Sequence, residues 1–249
     1  MSDPHVSLRL LCHNVYWFQG QPFKSDQPGD PRAEIVDGLA QLYREAAPDV
    51  LCLQEVHRAE IAVDLAARLG MQVAHCPGAA YPQYGGAILW RGEGGIVADS
   101  RGRAVQRVWQ VGEICLSTGP LRIATLHLPS KRQLGPEASE IQRLHDLDDM
   151  LAASDSLPDI ICGDFNEVVA GGPVAAHLDA LGYRDAAQLA GQESRPSNVG
   201  GSRGDWIRLR ADLAPRLLSY ASHSATDLRL STDPDRYLSD HLPVRISLA

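Results

Sequence analysis

The chain has no apolar run approaching the roughly 18 residues that a membrane-spanning helix needs, which excludes a helical span. Its opening, Met1-Ser2-Asp3-Pro4-His5, lacks the basic stretch and following apolar segment of a secretory signal, so a cytoplasmic location is expected. Basic runs are also missing, and the formal net charge is -8. Proteins that grip duplex nucleic acid are more often basic, so this balance argues against that role. It does not forbid it, because a bound divalent cation offsets local acidity and can bring a phosphate in. Aromatic residues make up only 6% of the chain, and no base-stacking platform is obvious. Cysteine is scarce: Cys12, Cys52, Cys76, Cys115 and Cys162. The count is odd, no CxxC occurs, and no ligand spacing supports zinc. Most lie in apolar strand-like runs, where buried reduced thiols are expected. Internal repeats and low-complexity tracts are absent.

What is present is an ordinary supply of core residues, 44% hydrophobic over 249 residues. One domain spanning residues 1–249 is expected. Strands are predicted at 8–14, 50–53, 72–76, 86–90, 104–110, 113–117, 121–128 and 241–248. Further strands are predicted at 160–163 and from Asp205-Trp206-Ile207. Thr118-Gly119-Pro120 reads as a hairpin turn. A helix over 34–46 places Ile35, Leu39, Leu42 and Tyr43 on one face, and a second over 59–69 closes at Gly70. A long helix over 137–153 is expected to bury Ile141, Leu144, Leu147 and Leu151, and a shorter one covers 173–181. Residues 19–31 and 192–204 read as polar loops. The order alternates β and α, continues in β, then alternates again. It predicts an α/β fold of two sheets packed face to face with helices outside.

Ile160-Ile161-Cys162-Gly163-Asp164-Phe165-Asn166 is the most telling segment. An apolar run ending in Gly-Asp-x-Asn reads as a buried strand that delivers its polar end to a surface. If the strand stays extended, side chains two apart point the same way. Asp164 and Asn166 would then present a carboxylate and an amide to one small volume, a pairing suited to phosphate ester hydrolysis. Other polar residues stand where apolar strands end: Asn14, Gln54-Glu55, His127, Asp205 and Asp240-His241. Each has an ordinary explanation as a turn former, a solvated end or a satisfied core histidine. Their joint occurrence needs another.

Asn14, Leu53-Gln54-Glu55-Val56, Tyr84-Gly85-Gly86-Ala87-Ile88-Leu89 and Thr125-Leu126-His127-Leu128 open an ordered series of motifs. Gly163-Asp164-Phe165-Asn166, Ser202-Arg203-Gly204-Asp205-Trp206-Ile207 and Ser239-Asp240-His241-Leu242-Pro243-Val244 complete it. Together they resemble the endonuclease/exonuclease/phosphatase superfamily over nearly the whole chain. The resemblance implies a four-layer α/β sandwich and a metal-dependent phosphoesterase using Mg2+, with Mn2+ as the alternative. It implies Glu55 as the main metal ligand. Asn14 would support it or bind the metal through its amide oxygen, and Asp240 would bind or adjoin it. Asp164 would orient or deprotonate the attacking water, and Asn166 would hydrogen-bond the phosphate or that water. His241 would pair with Asp205, either as a cation that stabilises developing charge or as a neutral base. His127 would touch a phosphate oxygen or help protonate the leaving group. Tyr84 has either a site role or a packing role. The sequence departs at Gly204, where the family usually has an apolar residue before the Asp.

Lys131 and Arg132 follow His127 closely and would either bind a second substrate phosphate or be solvated loop cations. The acidic balance and low aromatic content favour a small phosphorylated metabolite or a lipid-like phosphodiester as substrate. A DNA or RNA nuclease is the alternative. A phosphate-binding pseudoenzyme, the alternative of another class, predicts loss of Glu55, Asp164, Asn166 or His241, and all four are present. No protein partner is predicted. Loops 18–31, 77–84, 129–136 and 192–204 are expected to decide specificity.

Overall fold

Apolar side chains that alternate along strands dictate a layered molecule, because each strand face must be covered. The computed structural model describes residues 6–23, 27–168 and 171–249, so Met1–His5 and residues 24–26 of the first loop lie outside the described residues. The chain begins with β1 (Leu8–Asn14), α1 (Ala33–Ala46), β2 (Val50–Gln54), α2 (Ala59–Leu69), β3 (Gln72–Cys76) and β4 (Gly86–Trp90). It continues through β5 (Gly94–Asp99), β6 (Val108–Leu116), β7 (Gly119–His127), α3 (Lys131–Leu134), α4 (Pro136–Ala152) and β8 (Ile160–Asp164). Next come α5 (Pro173–Ala180), β9 (Tyr183–Asp185), α6 (Ala186–Leu189) and β10 (Asp205–Arg210). Strands β11 (Leu217–Ser222), β12 (Arg229–Leu230), β13 (Asp233–Tyr237) and β14 (Val244–Leu248) complete it.

One six-stranded sheet has the order β11-β14-β1-β2-β4-β3, and the other has β5-β6-β7-β8-β10-β9. Strands β1 and β2 are parallel, as are β7 and β8, while their other neighbours are antiparallel. Leu10, Cys12, Cys52, Ile123, Ile160 and Ile207 belong to the core between the sheets. On the outside, Leu51 and Leu53 pack with Leu39, Tyr43 and Leu65 of α1 and α2. On the opposite outside, Leu126 and Ile161 pack with Leu147, Met150 and Val174 of α4 and α5. The expected four-layer α/β sandwich is therefore observed.

This alternation positions the polar strand ends. Residues two apart share a face. Continuing the inward series Leu10-Cys12 reaches Asn14, Val50-Cys52 reaches Gln54, and Ile160-Cys162 reaches Asp164. Register sets Asn14 opposite Gln54, His127 opposite Asp164, and Asp205 opposite Asp164. The two parallel pairs end at the same rim where antiparallel β10 begins.

Several local expectations change. Helix α4 exposes Ile141 (71%) and buries Arg143 and Asp146 with Leu147 and Met150. The two strands expected at 104–117 are one strand, β6, and Leu116 pairs with Gly119, so Ser117-Thr118 forms the turn. Strand β5 and the short elements β9, β11, β12, β13, α3 and α6 have too few apolar repeats to stand out in the sequence. All five cysteines are free; Cys115 is exposed and the other four are buried.

Gly163 is required by this packing. Its φ is +149°, and a Cβ would meet the Leu126 carbonyl oxygen at 1.9 Å. Gly163→Ala is expected to cost about 2–4 kcal/mol, read as a lower urea midpoint and melting temperature. Wild-type stability in that variant would refute the packing argument.

Candidate active site

The strand ends open into a cavity of about 590 Å³. Glu55, Arg107, His127, Asp164, Asn166, Asp240 and His241 line it, with Tyr16, Trp17 and Tyr84 on one wall and Lys131 and Arg132 on another. Asn14 and Asp205 stand behind that lining, fully buried. A second cavity of about 530 Å³, beside α1 and β11, contains none of the candidate site residues.

Asp164 is the meeting point. Its Oδ2 accepts from Asn14 Nδ2 at 3.1 Å and lies 3.3 Å from His127 Nε2 and 3.8 Å from His241 Nε2. Its Oδ1 accepts the Asn166 backbone N–H at 2.9 Å. Asn166 is thus brought back by a turn, with φ +51°, and not by the extended strand expected from the sequence. Its amide donates to the Leu128 carbonyl at 2.9 Å. The Asn14 amide oxygen accepts the Tyr16 N–H at 3.1 Å, so Asn14 braces the turn as well as the carboxylate. Gln54 reaches across the core and donates to Thr125 Oγ1 at 2.8 Å, which ties one sheet to the other.

His241 Nδ1 lies 2.8 Å from Asp205 Oδ2. Ser197, not identified from the sequence, donates to that same oxygen at 2.7 Å and accepts the N–H groups of Gly204 and Asp205. Ser239 accepts the His241 N–H at 3.2 Å and donates to the Asn14 carbonyl at 2.7 Å. The departure at Gly204 leaves Asp205 in place, because Asp205 is held in register with Asp164. It also leaves room beside Asp164 Oδ1, which a Cβ would approach only to 3.6 Å.

Arg107 belongs to no motif in the sequence and is brought to the site by the fold. Its Nη1 meets His127 Nε2, its Nη2 donates to Gln133 Oε1 at 3.1 Å, and its guanidinium lies 4.1 Å from the centre of the Tyr84 ring. Gln133 donates in turn to the Tyr84 hydroxyl at 2.7 Å. Tyr84 therefore packs and orients at once. Arg107 precedes β6, whose start lies at the rim because β6 is antiparallel to β7. Strand starts carry the same signal as strand ends once pairing is known. Tyr16, Trp17, Phe23 and Tyr84 cluster at this wall. The fold gathers these few aromatics into one buried cluster that borders the cavity.

The groups titrate apart. Burial alone would push the Asp164 carboxyl up, but His241, His127 and Arg107 outweigh it and hold it below the usual carboxylate range. Burial and then Arg107 lower His127 to about 4, leaving it neutral at pH 7. Burial would lower His241 too, but Asp205, Asp240 and Asp164 raise it well above 6.5, so it is an imidazolium. Burial first, then Asp240, raises Glu55 to about 8. Burial likewise raises Asp240.

Glu55 Oε2 and Asp240 Oδ1 are buried without a hydrogen-bond partner. Two carboxylates with raised titration, each with a buried oxygen left open, fit a hard divalent cation. Asp164, Asp205 and His241 also bring ligand-type atoms within 4.8 Å of one another. There, however, His241 Nδ1 is taken by Asp205 Oδ2, and a cationic imidazole has no lone pair to offer a metal.

A model of the Endonuclease/Exonuclease/phosphatase family matches residues 13–241. The chain belongs to that family. It is therefore a hydrolytic phosphoesterase, in a family that is generally dependent on divalent metals. No curated protein sequence matches it. Its fold is similar to that of D. rerio TDP2 complexed with a single-strand DNA product, at 21% identity and TM-score 0.71, covering 98% of this chain and 99% of that one. It is similar to the human Nocturnin catalytic domain with bound sulfate, at 21% identity and TM-score 0.65, covering 98% and 94%. An AP endonuclease from Archaeoglobus fulgidus aligns at 15% identity and TM-score 0.68, covering 97% and 99%. Among the described residues of this family member, no helix is long and apolar enough to cross a membrane.

Two outcomes follow from the electrostatics. In Asp205→Asn, His241 is expected to titrate nearer its ordinary value of about 6.5, as read by imidazole NMR. The stabilisation from the raised His241 is full below that ordinary value and is lost as pH rises through the folded one, so the variant's stability should vary less at alkaline pH. Glu55 has the opposite sign: ionising it costs stability from about pH 4.5 upward, until its folded value of about 8 is passed. In EDTA, Glu55→Gln should melt above wild type at pH 8, with the gap closing toward pH 5. Added Mg2+ should raise the wild-type melting temperature more than the variant's.

Proposed function

We propose that this phosphoesterase is Mg2+-dependent and acts on a small phosphorylated molecule seated in the cavity beneath Tyr16, Trp17 and Tyr84. The observation that carries this is the convergence of Asn14, His127 and His241 on Asp164, with His241 backed by Asp205. Ionised Asp164 orients the attacking water, and as the new P–O bond forms and the ester P–O bond breaks, the water's proton passes through solvent to the departing oxygen. Cationic His241, held by Asp205, offsets the negative charge that develops on the phosphoryl oxygens. Arg107 and the Asn166 amide hold phosphate oxygens, and neutral His127 stands by the leaving group. Mg2+, held by Glu55 and Asp240 and braced by Asn14, would neutralise phosphate charge and polarise the P–O bond.

The small-molecule reading is supported by a cavity of about 590 Å³ that takes one compact ligand, and by the net charge of -8. Lys131 and Arg132, at the cavity edge, suit a second anionic group. Nuclease action is the second reading, in keeping with the single-strand DNA product in the D. rerio TDP2 structure whose fold is similar. Residues 1–249 form one domain in this reading, since both sheets contribute to one site, and the buried free thiols suit the cytoplasm.

The test is hydrolysis of bis-p-nitrophenyl phosphate, phosphorylated metabolites, nucleotides and plasmid DNA, with Mg2+ or EDTA. Wild type should show EDTA-sensitive turnover, and Asp164→Ala should lose about 10²–10⁴-fold. Faster cleavage of plasmid than of metabolites would make this a nuclease. Metal binding without any turnover would favour a phosphate-binding pseudoenzyme.

A further inference from the structure

The inner face of α4 leads to the site. Arg143 is buried on that face, where an apolar residue is expected. Its Nη1 donates to the Pro129 carbonyl at 3.2 Å and to the Asn166 carbonyl at 3.3 Å, and it lies 3.3 Å from Ser139 Oγ. Pro129 stands two residues after His127 and Asn166 two residues after Asp164. One guanidinium thus spans the exits of β7 and β8, the parallel pair at the centre of its sheet. A turn further along α4, Asp146 accepts the Gln106 N–H at 3.0 Å, immediately before Arg107.

Burying a cation is costly unless its donors are used, and a Leu or Met would fill the same space without that cost. Glu167 contributes most against the burial of Arg143, followed by Glu140 and Asp164. Glu167 is itself fixed by the N–H groups of Val174 and Ala175 at the start of α5, at 3.1 and 2.9 Å. Asn166 holds a left-handed backbone conformation, φ +51°. Such a conformation persists where its surroundings over-determine it. Here the constraints are the Asp164 carboxylate on its N–H, the Leu128 carbonyl on its amide, and Arg143 on its carbonyl.

We infer that Arg143 is a positioning residue for phosphoester hydrolysis, clamping the loop that follows His127 to the loop that carries Asn166 at the separation the reacting phosphate needs. The inference rests on the function proposed above. Arg143 does not line the cavity and acts only through those loops. Holding groups to within about 1 Å is worth up to about 10²-fold in rate, with little effect on substrate affinity.

The test compares the full chain with Arg143→Met and Arg143→Lys, using bis-p-nitrophenyl phosphate and Mg2+. In the Met variant kcat should fall about 10–100-fold while KM stays within about two-fold. Lys should recover part of kcat, because an ammonium can still donate to the same carbonyls. Amide exchange should quicken over residues 127–131 and 163–168 of the Met variant and stay unchanged in β1 and β2. Unchanged exchange in those loops, or a raised KM with wild-type kcat, overturns the proposal. Should the Met variant fail to fold, Arg143→Gln, which keeps one donating amide, carries the same readouts. If wild type hydrolyses nothing, the phosphoesterase reading of the site fails, and amide exchange alone decides whether Arg143 holds the loops.

Discussion

The hydrogen bond from Asn14 to Asp164, 3.1 Å long, crosses from one six-stranded sheet to the other at the rim where their strands end. It exists only because β1 and β8 both turn their alternate residues inward and both stop at the same level. The Gln54 to Thr125 bond repeats the tie one pair along. A slip of one residue in any of these strands would send its polar end outward and leave a carboxylate or amide unpaired. Packing in the apolar layer and geometry at the site are therefore one constraint.

The site concentrates charge in a place where water is scarce, and that drives the titrating groups apart. Asp164 is surrounded by His241, His127 and Arg107 and stays ionised. Glu55 resists ionisation because of burial and the Asp240 charge, and Asp240 because of burial and the Asp164 charge. Of two histidines at one rim, His241 is cationic among carboxylates and His127 is neutral beside a guanidinium. Environments that separate similar groups assign them different work. The orphaned oxygens of Glu55 and Asp240 mark where positive charge belongs.

The backbone carries its share of constraint at the same rim. Tyr16, Trp17 and Phe18 follow Asn14 with φ of +45°, +51° and +58°, and Glu55 and Asn166 are also left-handed. Each such residue is unfavourable in isolation, and such residues cluster where the surroundings dictate the path of the chain. Asn14 holds the Tyr16 N–H, Asp164 and Arg143 hold the two ends of Asn166, and Ser197 and Ser239 hold the backbone at Asp205 and His241.

Much of this was legible in the sequence. Apolar alternation identified the central strands, apolar spacing and Gly70 bounded α1 and α2, and the polar residues at strand ends were those that meet in the cavity or stand directly behind it. These are local signals, carried by each segment whatever its neighbours. Arg107, Ser197 and Arg143 left no such signal. Arg107 stands at a strand start, which becomes a site position only once β6 pairs antiparallel with β7. Arg143 occupies a helix row that period alone assigns to solvent, with Ile141 assigned to the core, and the loops beneath α4 reverse the two. The aromatic wall was missed because composition counts residues without locating them. The sequence by itself determined which strands are apolar, where they end and which reactive groups those ends carry, since periodicity and turn chemistry act within a few residues. Only the tertiary structure decided which ends share a rim, which histidine is charged and which buried cation holds the loops, because those follow from strand pairing and from distances between segments remote in the chain.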